Sequence, residues 1–328
     1  MLDVDNYDDI FQGWSYSEGL VSDIQENQSL IGGKLFFERL LDLLKIKWNK
    51  LYPPRSTTDL RALHKTLTTA PITLHYKHCL LFYLLKDLAP SIHVTPSIDA
   101  AFANDIHLEK SFRTFIDGIW HLDHLQFETA VTGLSHPCIV QTFPDEILSC
   151  LLKRGGYGAP KEGEADTLPL AYFSCAAPPL AKENVRKDFA KYLARRNVSE
   201  MYYWLRSRPE HEHQSLLEIL IDTALYRGTT GNSEVYPTSE RAMELVGLPF
   251  EEREERWLET YLTEGKGRLL TGAEDTVVLR RMATGRLVEA GREGGVRGKR
   301  VDGLNWEGIR VGVKNGLGPR MEEKGFVV

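Results

Sequence analysis

This 328-residue sequence is poor in the signals that mark an enzyme, a secreted scaffold or a membrane protein. Its four cysteines, Cys79, Cys138, Cys150 and Cys175, form no CxxC pair and are too sparse for a disulfide framework, so reduced, mostly buried thiols are expected. The longest strongly apolar run, Cys79 to Leu85, falls far short of the roughly 20 residues that cross a bilayer. Met1-Leu2-Asp3-Val4-Asp5 is acidic where a secretory or transit peptide is basic, which points to a cytosolic or nuclear protein that does not span a membrane. Alternating runs of β-branched residues are nearly absent before Gly265, which argues against a sheet.

Catalytic templates are missing as well. There is no GxSxG elbow, and Gly33-Lys34 is followed by Leu35 where a phosphate-binding loop needs Ser or Thr. His211-Glu212-His213 has Ser215 where HExxH needs its second histidine, and reads as a solvated helix start. No histidine is followed directly by aspartate, as a metal phosphohydrolase of the HD type requires. Gly155-Gly156-Tyr157-Gly158 follows a helix pattern instead of a strand and lacks GxGxxG spacing, so it reads as a surface loop. Two histidine pairs, His75/His78 and His121/His124, stand at i and i+3, a spacing that places both rings on one helix face. Each pair fits either a shared metal or rings packed in an apolar helix, and the packing reading needs no further ligand. No cofactor, metal or small-molecule substrate is expected.

What the sequence does contain is a lopsided charge and a helical rhythm. Residues 1–264 carry 27 Lys+Arg against 38 Asp+Glu, net −11, whereas residues 265–328 carry 13 against 8, net +5, and hold 14 of the 27 glycines. Three segments follow: an acidic amino-terminal stretch 1–30, a helical domain 31–264 and a basic glycine-rich tail 265–328. Apolar residues at 3- and 4-residue steps predict helices over Leu35 to Leu51, Thr58 to Thr68, Thr73 to Leu88, Asp105 to His121, Leu125 to Leu134 and Asp145 to Lys153. After a polar loop from Gly155 to Thr167, further helices are predicted over Leu168 to Ala176, Lys182 to Arg195, Ser199 to Ser207, Gln214 to Tyr226, Ser239 to Val246 and Glu251 to Thr263. Ser199 and Thr238 are candidate caps, and Asp145-Glu146 and Glu251-Glu252 sit where first-turn carboxylates complement the helix dipole. The fold class is therefore all-α, an irregular α-solenoid or helical array with no fixed repeat period. The tail admits one helix over Asp275 to Glu289. Beyond Gly291 it is too rich in glycine and charge to bury a core, and reads as disordered or as a small hairpin.

The stretch Phe115-Ile116-Asp117-Gly118-Ile119-Trp120-His121-Leu122-Asp123-His124, followed by Phe127, Ala130-Val131 and Leu134, resembles the ELYS-like helical domain of nuclear pore assembly proteins. The likeness continues through Phe143-Pro144-Asp145-Glu146-Ile147-Leu148 with Leu151-Leu152, and through Ala171-Tyr172-Phe173 to Pro178-Pro179-Leu180. It returns at Val198-Ser199-Glu200-Met201, Leu205-Arg206-Ser207 and Leu216-Leu217-Glu218-Ile219-Leu220, covering roughly residues 35 to 264. Most of these positions read as architecture: Trp120, Phe127 and Phe143 as core aromatics, Asp123 and His124 as a polar junction between helices, Pro144 as the first residue of a helix.

The resemblance implies a non-enzymatic structural component of the nuclear pore complex, at the nuclear envelope of the nucleus. Its implied partners are subunits of the Y-shaped outer-ring scaffold, with chromatin as a further partner in animal members. The sequence is similar to compact fungal members. The AT-hook of the long members needs Gly-Arg-Pro, and the nearest stretch here, Arg297-Gly298-Lys299-Arg300, lacks the proline. For a docking patch the candidates are Tyr202, Tyr203 and Arg206, since Tyr, Trp and Arg dominate interface energetics. The same stretch also fits a core helix with one exposed edge. An alternative function is a nucleic-acid or chromatin adaptor that grips phosphates through Arg297, Lys299 and Arg300 of the tail.

Overall fold

The computed structural model describes residues 3–49, 51–154, 166–226 and 238–286, and among them the chain forms sixteen α-helices, two 3-10 turns and no strand. The all-α expectation holds. The helices gather into two compact units, α1–α10 and α11–α16, divided after Ala181.

The first unit holds α1 (Tyr7–Phe11), α2 (Glu18–Leu30), α3 (Phe36–Leu43), α4 (Thr57–Thr69), α5 (Leu74–Leu88), α6 (Ile98–Asp105), α7 (Lys110–Asp123), α8 (Phe127–Leu134), α9 (Pro144–Lys153) and α10 (Leu168–Ala176). The apolar run Cys79 to Leu85 lies in α5 and is buried on every side, because α4, α6 and α7 all pack against that helix. The most extensive helix–helix contact in this unit is that of α7 with α8. A side chain on Gly118 would place its Cβ 2.7 Å from Leu134 Cγ, so glycine is what lets the two helices meet. Ile116 and Ile119 of α7 and Phe127, Ala130 and Leu134 of α8 are all buried.

The second unit holds α11 (Glu183–Arg196), α12 (Val198–Arg206), α13 (Glu210–Leu225), α14 (Thr238–Gly247), α15 (Glu252–Thr263) and α16 (Ala273–Ala283). Here α13 is central, packing on α11, α12, α14 and α15, and α16 closes against α14 and α15.

Several boundaries differ from the periodic pattern. The helix expected over Leu35 to Leu51 ends at Leu43, where Lys45 turns to φ 58° and the Trp48 indole donates back to Asp42 Oδ1 (2.6 Å). The later apolar residues continue the spacing by coincidence. The helix expected from Asp105 begins at Lys110, since 105–107 end α6 and turn through His107 at φ 52°. The helix expected from Gln214 starts at Glu210. Helices α1, α2 and α6 lie where none was expected: α1 is five residues long, and α2 buries only Ile24, too little for an apolar stripe.

Caps and thiols need correcting too. The α12 cap is Asn197, whose Oδ1 accepts from Glu200 N (2.7 Å), while Ser199 N donates to Glu244. Pro144 opens α9 as expected. Phe143 is half-buried, in contrast to the buried Trp120 and Phe127. All four cysteines are free, but Cys138 and Cys175 are exposed, because each sits beyond or on the outer side of its element. The Gly155 to Gly158 loop, the Thr238 side chain, the segment beyond Gly291 and the end of the 275–289 helix lie outside the described residues. The described part of that last helix is Ala273–Ala283.

Candidate interaction surface

Helix α12 carries the three residues picked from the sequence, and helical geometry separates them. Val198, Met201, Tyr202 and Leu205 point inward at steps of one helical turn, and Tyr203 is left outward with 61 % of its surface exposed. Tyr202 is fully buried, its ring against Phe250, and its hydroxyl donates toward the Pro249 carbonyl (2.8 Å) and Glu254 Oε2 (2.9 Å). Burial, then the Glu254 carboxylate, push that hydroxyl up to about 12, so it remains a donor. Tyr202 thus offers no surface to a partner. Arg206 lies between: its guanidinium donates to Tyr202 Oη (3.2 Å), pairs with Glu251, stands 3.8 Å from Glu254, and its side chain is 35 % exposed. Tyr203 and the edge of Arg206 therefore form an exposed pair on a helix fixed from beneath by Tyr202.

Beside them, the carboxylates of α15 are almost all engaged. Glu254 also accepts from Glu251 N, closing the helix's own cap, and Glu255 and Glu259 pair with Arg280, Arg281 and Arg286. Arg280 is buried and donates to the Val246 and Leu248 carbonyls while lying over the Phe250 ring. Three cations of the supposed basic tail are thus built into the helical body. Residues 287–328 retain eight Lys+Arg against six Asp+Glu, net +2. Arg297, Lys299 and Arg300 lie outside the described residues. Gly265 and Gly267 pack on Tyr261, where a Cβ on Gly267 would stand 2.6 Å from the ring.

The first unit contains a polar centre of which the sequence showed only the Asp123–His124 junction. Asp123, at the end of α7, accepts from Phe36 N (2.7 Å), Phe37 N (2.9 Å) and Tyr83 Oη (2.9 Å), and so caps the start of α3 across the fold. Asp87 accepts from Tyr16 Oη (2.8 Å), Tyr52 Oη (2.9 Å) and Trp120 Nε1 (2.7 Å). Burial outweighs these donors, raising Asp123 to about 7 and raising Asp87 as well. His124 stacks on Trp120 at 3.9 Å, bonds the Trp120 carbonyl through Nδ1, and brings Nε2 to 3.7 Å from Asp87. The Asp123–His124 junction therefore ties α7 to α3 and α5, beyond the α7–α8 turn. The signal available in the sequence was Asp87 itself, a lone carboxylate at the end of an apolar helix.

The remaining histidines of the two i, i+3 pairs have protein neighbours of their own. His75 stacks on Phe112, His78 meets Phe102, and His121 bonds Gln126 (2.7 Å). Among the described residues no three His, Cys, Asp or Glu side chains are grouped to hold a metal ion. Glu212 is bridged by Arg186 (3.3 Å) and Arg208 (3.5 Å) and His213 meets the Arg208 carbonyl, so within the His211-Glu212-His213 helix start His211 is solvated as expected and the other two are tied to protein groups.

Residues 34–265, from α3 through α15, match the family described as ELYS, nuclear pore complex assembly. The chain belongs to the ELYS family. It is also 24 % identical over 217 residues to the uncharacterized protein ely5 of Schizosaccharomyces pombe, covering 65 % of this chain and 67 % of that one. The residues that carry the ELYS resemblance are the ones the fold depends on. Gly118 and Leu134 set the α7–α8 approach, and Asp123 caps α3. Asp145 accepts from Leu180 N (2.9 Å) and Ala181 N (2.7 Å), holding a segment that enters left-handed geometry at Leu180. The matched residues 34–265 thus include the helices and junctions that hold the fold together, with Tyr203 among the exposed side chains of that region. Among the described residues no helix is long and apolar enough to cross a membrane.

Proposed function

We propose that this chain is a non-enzymatic structural component of the nuclear pore complex, located at the nuclear envelope. In this reading its helical body docks on the Y-shaped outer-ring scaffold and contributes to pore assembly. The observation that carries the reading is the family match over 34–265, which spans nearly every helix of the body. The pair Tyr203 and Arg206 is the favoured contact, because a large exposed aromatic beside a pre-positioned guanidinium matches the composition of interface hot spots. Tyr202 serves this patch as a positioning residue through its hydroxyl and ring.

The nucleic-acid alternative is weakened by charge. Arg280, Arg281 and Arg286 are already paired with carboxylates of α15, which leaves net +2 after Arg286 for phosphate binding.

The test is recovery of Y-scaffold subunits with the tagged full chain from nuclear extract, in parallel with imaging of the nuclear rim. Tyr203→Ala with Arg206→Ala is expected to reduce recovery while the melting curve stays cooperative. Unchanged recovery in a folded double variant removes the patch. Absence of scaffold subunits from the wild-type preparation removes the docking reading itself.

A further inference from the structure

Helix α15 is acidic by composition, yet its side chains are sorted by sign. Its carboxylates at 251, 254, 255 and 259 face arginines and a tyrosine of α12 and α16. Its two arginines, Arg253 and Arg256, sit at the remaining angular positions and turn to the opposite side, together with Trp257 and Tyr261 at helical spacing. There they line a groove of about 500 Å³ whose far wall is α13, contributing Gln214 and Glu218. Tyr261 Oη donates to Asp222 (2.7 Å) and ties the two walls together.

Within this groove the guanidiniums lack acidic partners. Arg253 lies over the Trp257 ring at 4.7 Å, and Arg256 reaches only its own helix, at the Glu252 carbonyl (3.3 Å). Among the described residues no carboxylate stands within ion-pair distance of either one, Glu218 across the groove included. In a body whose other arginines on α12 and α16 are matched to glutamates, these two cations are left unmatched around an aromatic floor.

We propose that the α13–α15 groove binds an extended acidic segment of a partner protein, with its carboxylates on Arg253 and Arg256 and an apolar side chain on Trp257. Charge complementarity selects this occupant. Free guanidiniums recognise carboxylates by paired hydrogen bonds, the indole face accepts an apolar or aromatic side chain, and Gln214 and Glu218 accept backbone N–H groups of an extended strand. The inference shares with the docking proposal the premise that the helical body works by binding protein. It concerns a different surface from Tyr203, so the two fail separately.

The experiment uses the full chain and a fluorescein-labelled peptide of about ten residues, alternating Glu and Asp around one Phe, read by anisotropy at low and moderate salt. The comparison probes are the same peptide with Lys for each acid, and an oligothymidylate of similar length. Saturable binding of the acidic peptide is expected, with a loss of about tenfold or more in Arg253→Glu with Arg256→Glu, a smaller loss in Trp257→Ala and none in Tyr203→Ala. Arg253→Gln with Arg256→Gln, which removes charge without reversing it, should fall between, with melting unchanged in every variant. The proposal is overturned if the acidic peptide shows no binding up to about 1 mM, or binds the double variant as well as the wild type. It is equally overturned if oligothymidylate binds more tightly with the same dependence on Arg253, Arg256 and Trp257, which would make the groove a nucleic-acid site.

Discussion

Two adjacent tyrosines in α12 have opposite fates, and the difference is one step of 100° around a helix. Tyr202 is sealed against Phe250 and bonded to Glu254 and the Pro249 carbonyl, so Tyr202→Phe should remove a buried donor to both and cost about 1–3 kcal/mol in urea denaturation. Tyr203→Ala removes an exposed ring and should stay within about 0.5 kcal/mol of wild type in the same assay. Asp123 gives a prediction in pH. Its folded value lies near 7, above the ordinary value near 4, so the folded chain holds that proton more tightly than the unfolded chain. Its contribution to stability is complete below about pH 4, falls as pH rises toward 7, and is flat above. Asp87, raised by the same burial, acts in the same direction. Asp123→Asn should lower the melting temperature at every pH, since an amide cannot accept from both α3 N–H groups as the carboxylate does. It should also shrink the loss of stability between pH 5 and pH 7.5, and an unchanged pH slope would show that the carboxyl does not titrate in that window.

At the scale of elements, close approach and buried charge decide the packing. Leu134 is buried on all sides, so it cannot swing away from a Cβ at position 118. Gly118→Ala should therefore cost about 1–3 kcal/mol by overpacking, despite the better helix propensity of alanine. Arg280 is the corresponding feature of the second unit. Its guanidinium satisfies two carbonyls at the end of α14, those of Val246 and Leu248, and a carboxylate of α15, and Arg280→Met leaves that carboxylate without its closest cation. A loss of about 3–5 kcal/mol is expected from chemical denaturation, far more than a tail residue would give. These elements also show where the periodic pattern is legible. A one-faced helix such as α7 stands out because its apolar face repeats at every turn, and α5 because its apolar run is continuous, whereas α1 and α2 escape notice because one is short and the other buries a single apolar residue. The helix predicted past Leu43 fails because spacing alone cannot register the left-handed turn at Lys45.

Across the whole molecule, the two compact units should report their damage separately. Hydrogen exchange on the full chain is expected to rise in α3, α5 and α7 for Asp123→Asn, with α11–α16 unchanged, and the reverse pattern is expected for Arg280→Met. Exchange spreading through both units in either variant would mean that they open together. Hydrophobic period and the scarcity of β-branched runs by themselves determined the all-α class and most helix positions, because each depends on residues near one another in sequence. Composition gave the charge asymmetry, −11 before Gly265 and +5 after it, but not its meaning. Only the tertiary structure decided that Arg280, Arg281 and Arg286 belong to the helical body, that Asp123 caps a helix 86 residues upstream, and that Tyr203, not Tyr202, faces solvent. Pairing and burial depend on which distant segments meet, and a charge or an aromatic acquires its role from the partner brought to it.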